Sequence, residues 1–167
     1  YKLAIAKKDW KVDMLGGLYV NAGKIHTKLG NYELAIAYFQ KAIQSGIGFE
    51  DWIDVSDGAN GLGNIYLSLN KFDSAKKYFY MAVDAGMKMN FPAGLENTYT
   101  NMSRMYRGVN GDSCLKYLQL STDLKDTILS IEKMHFTQAL DYEERVHEEN
   151  KKEAVLKEAK DRKMKLE

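Results

Sequence analysis

One pattern of small and aromatic residues occurs twice in this chain, forty residues apart (63 − 23 = 40). In the downstream copy, apolar residues recur at helical spacing on both sides of a polar break at residues 69–71, which predicts two amphipathic helices folded against each other. Gly63 and Ala75 stand where the two helix backbones would come closest, and the upstream copy has Gly23 and Ala35 in their places. Repetition at this period is typical of a solenoid of stacked helical pairs.

The composition favours helices and argues against several classes of protein. The chain has 167 residues, of which 45% are apolar and only one is proline, the residue that helix interiors exclude. Lysine and arginine total 24 against 23 acidic residues, so the net charge of +1 gives no global reason to expect nucleic acid as a partner. No run of eighteen apolar residues occurs, so we expect no membrane span within this segment. The single Cys114 cannot form an internal disulfide.

Polar and glycine-containing breaks divide the chain into predicted helical pairs. Residues 1–8 fit the end of an earlier pair, so we expect the chain to be a piece of a longer protein. Glycine is predicted to stop the second helix of the first pair at residues 45–48, and Gly86 is predicted to stop the second helix of the next pair. The predicted divisions are 1–8, the tail of a preceding repeat; 9–49, repeat 1; 50–89, repeat 2; 90–125, a degenerate repeat 3; and 126–167, a long capping or coiled-coil-like helix.

The recurring residues resemble the tetratricopeptide repeat. Two sets match at a spacing of forty residues, and a third set lies at residues 103–121. In the third set Cys114 and Ser121 stand in place of two alanines, and its turn is one residue shorter than the turn of the second set. The resemblance covers roughly residues 1–125 and implies an all-α fold, a right-handed α-α superhelix followed here by a long C-terminal helix. The matching residues are Gly23, His26, Ala35, Phe39 and Ala42; then Gly63, Tyr66, Ala75, Phe79 and Ala82; then Ser103, Tyr106, Cys114, Leu118 and Ser121.

The same resemblance implies a non-enzymatic scaffold that binds a protein or peptide. In such solenoids the first helix of each pair lines a concave groove, and carrying those positions over places asparagine there five times. A carboxamide both donates and accepts hydrogen bonds, so it can hold an extended peptide backbone, and lysine and arginine can meet an acidic group. These residues also fit the polar face that any exposed amphipathic helix needs. The predicted partner-binding residues are Asn21, Lys24, Asn60, Asn64, Asn97, Asn101, Arg104 and Arg107. The other groove positions are Val20, Thr27, Asp57, Leu67 and Thr100.

Residues 127–164 contain no glycine or proline and predict a continuous helix. Its first part, residues 128–146, is apolar enough to pack and is expected to cap the solenoid. Toward the C-terminus, acidic residues precede basic ones by four positions, as in Glu158 and Arg162, and each such pair supports a solvated helix by about 0.2–0.5 kcal/mol. Only a weak heptad pattern remains there. An alternative function is therefore a structural assembly module that forms a homodimer through residues 128–166.

Residues 124–153 have a resemblance of their own. They look like the segment that follows the repeats in a group of bacterial regulators, where a membrane helix and a cytoplasmic output domain come next. That output is a LuxR-type helix-turn-helix domain or a histidine kinase. The resemblance implies that the chain is the sensor segment of a bacterial signalling or transcriptional regulator, on the periplasmic side of the membrane. Without it, a cytoplasmic location is expected.

No set of residues has the spacing of a catalytic or metal site, so we expect no enzyme activity, no cofactor and no metal. His26 stands at a packing position and Cys114 replaces a small core alanine, so both are interpreted as structural. Residues 58–63 are rich in glycine but lie inside a predicted helix with no preceding strand, which argues against a phosphate-binding loop. An enzymatic interpretation would need acidic residues clustered around His26.

Overall fold

A computed structural model describes residues 15–164, and almost all of them are helical. The helices are α1 (Leu15–Lys28), α2 (Tyr32–Phe49), α3 (Trp52–Ser68), α4 (Phe72–Lys88), α5 (Pro92–Tyr106) and α6 (Gly111–Met164). No strand occurs among the described residues, which confirms the predicted all-α solenoid with a long C-terminal helix. The predicted remnant of an earlier pair, residues 1–8, lies outside the described residues.

The hairpins stack around two clusters of buried side chains. α1 packs on α2 and α3 packs on α4, and neighbouring hairpins meet through α2 with α3 and through α4 with α5. One cluster contains the Phe39 ring, which is 1% exposed, and the other contains the Phe79 ring, which is fully buried. Burying a phenylalanine side chain stabilises a fold by about 1.5–3 kcal/mol, so these two rings are major apolar contributions to the stack.

The small residues of the repeat make room for these rings. A Cβ added at Gly63 would lie 2.5 Å from the Phe79 ring, and one added at Gly23 would lie 2.7 Å from the Phe39 ring. Gly61 lies against the same Phe39 ring from α3. Carbon atoms in contact need about 3.5–4.0 Å, so the rings can stay in place only where these side chains are missing. An aromatic side chain from the second helix of a hairpin thus fills a gap in the first helix.

The helices α1 to α4 all end in the same way, at intervals of twenty residues. At each end an N–H bonds back to a carbonyl five residues earlier, and the residue before the donor has a left-handed backbone, as in the Schellman arrangement. The bonds run from Asn31 to His26 (2.9 Å), from Asp51 to Gly46 (2.8 Å), from Lys71 to Tyr66 (2.8 Å) and from Phe91 to Gly86 (2.9 Å). The left-handed residues are Gly30 (φ 76°), Glu50 (φ 59°), Asn70 (φ 57°) and Asn90 (φ 48°).

Two glycines that were predicted to stop helices lie inside them. α2 continues through Gly46 to Phe49, and α4 continues through Gly86 to Lys88. Both glycines are buried, and a Cβ at Gly46 would lie 2.6 Å from the carbonyl oxygen of Asp51. The prediction was wrong because these glycines serve close packing. The left-handed residue that ends each helix follows four positions later (50 − 46 = 4 and 90 − 86 = 4).

Each hairpin also carries a pair of stacked rings. The pairs are His26 with Tyr38 (5.3 Å between centroids), Tyr66 with Tyr78 (5.4 Å) and Tyr106 with Tyr117 (5.6 Å). The first two pairs are twelve residues apart (38 − 26 and 78 − 66), and the third is eleven apart (117 − 106), which corresponds to the shorter third turn. The stack gives His26 the packing role expected of it.

α6 runs without interruption over 54 residues, yet its contacts divide it between two compact units. Residues up to Lys125 belong to the first unit, and residues from Asp126 form the second. Within the first unit, Tyr117, Leu120 and Leu124 pack into the same cluster as Phe79. The first fifteen residues of α6 therefore serve as the second helix of the last hairpin (125 − 111 + 1 = 15).

The second unit is a single exposed helix over its described residues. Every side chain from Leu129 to Lys160 is exposed, and the large apolar residues of 129–146, which were expected to pack, are instead 36–66% exposed. The predicted pair of Glu158 and Arg162 is present, with 3.5 Å between its charged atoms. None of the described helices combines the length and the apolar character needed to cross a bilayer.

Candidate functional site

A cavity of about 390 Å³ opens between α1, α3 and α5, the first helices of the three hairpins. Five of the eight predicted binding residues line it: Lys24 from α1, Asn60 and Asn64 from α3, and Asn97 and Asn101 from α5. Helical spacing places these side chains on one face of each helix, and the stacking aligns the faces. The remaining lining residues are Thr27, Lys28, Phe39, Asp57 and Gly61. We call this cavity the asparagine groove.

A directed series of hydrogen bonds crosses the asparagine groove. Nη1 of Arg104 donates to Oδ1 of Asn101 (3.3 Å), and Nδ2 of Asn101 donates to Oδ1 of Asn60 (3.0 Å). A guanidinium has no acceptor atom, so Arg104 fixes the Asn101 carboxamide with its oxygen toward the arginine. The Asn101 NH₂ group must then face the oxygen of Asn60. The NH₂ group of Asn60 ends the series, and no acceptor among the described residues is paired with it.

Two further polar groups define what the asparagine groove offers a ligand. Nζ of Lys24 contacts Oδ2 of Asp57 at 3.0 Å, which holds the ammonium group at the groove. Nδ2 of Asn97 donates to the carbonyl of Ala93 (3.0 Å), one turn earlier in its own helix, so its oxygen stays free to accept. The groove therefore presents donors at Lys24 and Asn60 and acceptors at Asn97 and Asp57. A peptide backbone, which carries both kinds of group, can match them.

Other predicted groove positions lie elsewhere. Asn21 is exposed on α1 and Arg107 is exposed beyond the end of α5, and neither lines the asparagine groove. Val20 is only 3% exposed, and Leu67 packs against the Phe79 cluster. Thr100 turns away from the groove and bonds Ser121 of α6. Val20, Leu67 and Thr100 do not face the groove because the side chains of neighbouring helices cover or bond them. The binding roles of Asn21 and Arg107 stay predictions.

Three lining residues, Lys28, Phe39 and Gly61, are not among the groove positions predicted from the sequence. Lys28 stands four residues after Lys24, so the two ammonium groups share one face of α1. Gly61 has no side chain, and the groove consequently reaches the Phe39 ring behind it. The four-residue spacing of the lysines was a usable signal. The role of Gly61 was not, because it depends on a ring from another helix.

A carboxylate with a raised pKa lies near the beginning of α3. Asp54 packs against Gly16 of α1, where no side chain separates the two helices. Burial, followed by the negative charges of Asp51 and Asp57, raises the pKa of Asp54 from 3.8 to about 6. The fold thus disfavours the charged form of this side chain.

Replacing Asp54 by asparagine should stabilise the fold near pH 8 and leave it almost unchanged near pH 4. Between pH 3.8 and about pH 6, the Asp54 carboxyl group keeps a proton in the folded protein that it releases in the unfolded chain. The stability contributed by Asp54 therefore falls as the pH rises through this window, and the cost is complete above it. One pKa unit corresponds to about 1.4 kcal/mol, and solvent screening of this part-exposed group reduces the expected gain to about 1–2 kcal/mol. Urea unfolding at both pH values measures it.

The matched control is Asp84→Asn, which removes an exposed carboxylate paired with Lys88 at 3.0 Å. We expect it to change the free energy of unfolding by less than about 0.5 kcal/mol at either pH. Equal stabilisation by Asp54→Asn at both pH values would contradict a raised pKa as the cause.

The remaining reactive residue types have structural surroundings. Among the described residues, no group of three or more histidine, cysteine, aspartate or glutamate side chains could hold a metal ion. The ring of His26 stacks on Tyr38, and its Nδ1 lies 3.5 Å from Nδ2 of Asn31. The hydroxyl of Ser103 donates to the backbone oxygen of Cys114 (3.0 Å) and lies 3.5 Å from its sulfur. These contacts fit the packing roles expected from the sequence.

A comparison with known protein families matches part of the chain. The tetratricopeptide repeat family matches residues 15–86, which contain α1, α2, α3 and most of α4. No curated protein matches the chain with significant similarity. The family match and the stacked hairpins together support a tetratricopeptide-repeat protein, a class that suggests a scaffold for protein interactions.

Proposed function

We propose that this chain is a non-enzymatic scaffold that binds an extended protein or peptide segment in the asparagine groove. The observation that carries the proposal is the directed series from Arg104 through Asn101 to Asn60. It fixes the direction of the carboxamides before any ligand arrives, and such pre-organisation lowers the entropic cost of binding. The Asn60 donors would meet a carbonyl of the ligand, and the Asn97 oxygen would meet one of its N–H groups.

The position of Asn101 supports a binding role over a merely solvated one. Its side chain is only 9% exposed, and its carboxamide is satisfied by Arg104 and Asn60. A residue needed only for solubility would gain nothing from this arrangement, because burying a polar group costs free energy unless it is hydrogen-bonded. Lys24 and Lys28 at the same groove favour a ligand segment that carries an acidic group.

Alanine at Asn60, Asn64 and Asn101 together should weaken peptide binding at least about tenfold without unfolding the chain. The variant removes the Asn60 donors that would meet the ligand, the polar group of Asn64 at the same groove and the Asn101 side chain that holds Asn60 in place. Each lost hydrogen bond costs about 0.5–1.5 kcal/mol and the lost pre-organisation adds to this, so the sum should exceed the 1.4 kcal/mol that corresponds to a factor of ten. Peptides would be selected from a phage-displayed random library on the wild-type protein, and their dissociation constants measured by fluorescence anisotropy. Circular dichroism checks that the variant is folded.

Asn21→Ala is the control for this experiment, because Asn21 is exposed on α1 but does not line the groove. It should bind the selected peptides as the wild type does. Peptides that bind the triple-alanine variant with unchanged affinity would rule out the asparagine groove as their site.

We further propose that the scaffold is the sensor segment of a bacterial signalling or transcriptional regulator. The resemblance of residues 124–153 supports this, and so does a hydrogen-bonded link between the groove helix α5 and α6. The hydroxyls of Thr100 and Ser121 lie 2.7 Å apart, and both lie 3.2 Å from Oε1 of Glu96. One hydroxyl donates to the other, and the one that accepts donates its own proton to the carboxylate. Because α5 carries both Asn101 and Thr100, a ligand that moves α5 would act on α6.

Hydrogen exchange tests this coupling. Binding of a selected peptide should slow amide exchange in residues 111–125, and Thr100→Val should reduce that effect while leaving peptide affinity within about twofold. Unchanged exchange in residues 111–125 at saturating peptide would exclude transmission along α6.

A second candidate function is self-assembly through residues 128–166. The exposed apolar side chains of the second unit favour it, since Leu129, Met134 and Phe136 are 47%, 51% and 66% exposed. Exposed apolar surface of this kind commonly marks an interaction site. Sedimentation velocity of the chain with and without residues 128–166 tests it, and a strictly monomeric full chain would exclude it.

A further inference from the structure

One face of α1 exposes apolar side chains whose equivalents are buried in α3 and α5. Leu18 is 59% exposed and Ile25 is 58% exposed, and Ala22 lies half-buried between them. We call the surface of these three residues the stacking face of α1. None of the described helices covers Leu18 or Ile25. The equivalent residues forty and eighty positions later are all buried: Gly58 and Thr98, Leu62 and Met102, Ile65 and Met105.

In α3 and α5 the corresponding face is covered by the second helix of the preceding hairpin. α2 packs on α3, and α4 packs on α5. A Cβ added at Gly58 would lie 3.0 Å from Cγ1 of Ile43 and 3.4 Å from Cβ of Ala42, both on α2. The Phe39 ring of α2 shares a buried cluster with Ile65. A large ring, a small residue and a β-branched residue, at positions i, i+3 and i+4 of the second helix, thus cover this face.

The same three kinds of residue occur just before α1. Tyr1, Ala4 and Ile5 have this spacing within residues 1–8, which lie outside the described residues. The offset from Ala4 to Leu18 is 14 residues (18 − 4), against 16 residues in the interface of α2 with α3 (58 − 42). The link to α1 is therefore two residues shorter, about half a helical turn. The matching residues are Phe39, Ala42 and Ile43 in α2, and Phe79, Ala82 and Val83 in α4.

We infer that residues 1–8 form a helix that packs on the stacking face of α1, in the register in which α2 packs on α3. Ala4 and Ile5 then contact Leu18, and the Tyr1 ring extends toward Ile25. The short link holds the segment beside α1 at an effective concentration on the order of 1 mM, which favours it over a second copy of the chain. The stacking face shares no residue with the asparagine groove, so both surfaces can be occupied together.

Disulfide trapping in the full chain tests this contact. The model for the pair is the 3.4 Å between Cβ of Ala42 and a Cβ added at Gly58, close to the separation of about 3.5–4.5 Å that a disulfide needs. Ala4→Cys with Leu18→Cys is made in a Cys114→Ala background, which leaves no other thiol. In a glutathione buffer this pair should form an intramolecular disulfide, counted by mass spectrometry after alkylation of the remaining thiols.

The matched control is Ala6→Cys with Leu18→Cys. Ala6 is also an alanine and stands closer to Leu18 in sequence, but a helix would turn it to the opposite side of the segment from Ala4. The Ala4 pair should oxidise at least about tenfold faster than the Ala6 pair, because only it has the required geometry. Equal rates would overturn the inference. A disulfide that joins two molecules would assign the stacking face to a second copy and would overturn it as well.

Hydrogen exchange of the unmodified segment is the second test. In a docked helix the amides of residues 5–8 bond within the segment, so they should exchange at least about tenfold more slowly than in a free peptide of residues 1–8. Leu18→Asp should remove this protection. Leu29→Asp should leave it within about twofold, because the equivalents of Leu29 are exposed in the other hairpins, Leu69 at 40% and Val109 at 72%.

Amide exchange in α4, which contains neither substitution, reports whether the rest of the stack stays folded in both variants. Unprotected amides at residues 5–8 of the wild-type chain would contradict a docked helix. Equal loss of protection in the Leu18 and Leu29 variants would show that the segment does not depend on the stacking face.

Discussion

Replacing Phe39 by alanine should lower the free energy of unfolding by about 3–5 kcal/mol, the cost typical of removing a buried phenylalanine. The ring is 1% exposed and fills the space that Gly23 and Gly61 leave in the two neighbouring first helices. Helix backbones cannot move together easily to fill the resulting cavity. Urea unfolding followed by circular dichroism measures the change.

Phe136→Ala removes the same side chain from a position that is 66% exposed. We expect it to change the free energy of unfolding by less than about 0.5 kcal/mol. A loss at Phe39 no larger than the loss at Phe136 would show that the first hairpin interface does not depend on this ring.

Replacing Gly63 by alanine should destabilise the protein by about 1–3 kcal/mol, although alanine is the better helix former. The added methyl group would lie 2.5 Å from the Phe79 ring, which is fully buried and has no free space to move into. The steric cost therefore exceeds the gain in helix propensity, which is about 1 kcal/mol.

Gly48→Ala provides the matched control, because Gly48 also lies in a helix but has nothing within 4 Å of an added Cβ. This substitution should stabilise the protein by up to about 1 kcal/mol. A double-mutant cycle of Gly63→Ala with Phe79→Leu should show a favourable coupling of about 0.5–3 kcal/mol, because the smaller side chain removes the overlap. If Gly63→Ala and Gly48→Ala stabilised the protein to the same extent, the position of the Phe79 ring would not depend on the missing side chain at Gly63.

The hairpins could be predicted from the sequence because their signals are local. Apolar residues at helical spacing and a forty-residue repetition require no knowledge of distant contacts. The meaning of glycine could not be predicted in the same way. Gly30 ends a helix with a left-handed backbone, whereas Gly46 and Gly86 lie inside helices because a neighbouring helix comes close. The same residue type serves both purposes, and only the tertiary contact distinguishes them.

The asparagine groove shows the same limit. Asn60, Asn64 and Asn101 could be placed on one surface because helical geometry sets the direction of each side chain. Thr100 was misplaced because its partner Ser121 comes from α6, twenty-one residues later. The orientation of the carboxamides could not be predicted either. It is set by Arg104, which can only donate hydrogen bonds and therefore fixes the direction of the series.

The matching helix ends have a consequence for how such a chain can change in length. Since Glu50 and Asn90 adopt the same left-handed backbone forty residues apart, a cut after either residue leaves an equivalent junction. Gene segments that encode one hairpin can therefore be duplicated or deleted at these points, because the new junction has the same turn conformation as the old one. We expect viable insertions and deletions in this chain to come in steps of forty residues, with the joins falling immediately after a left-handed residue.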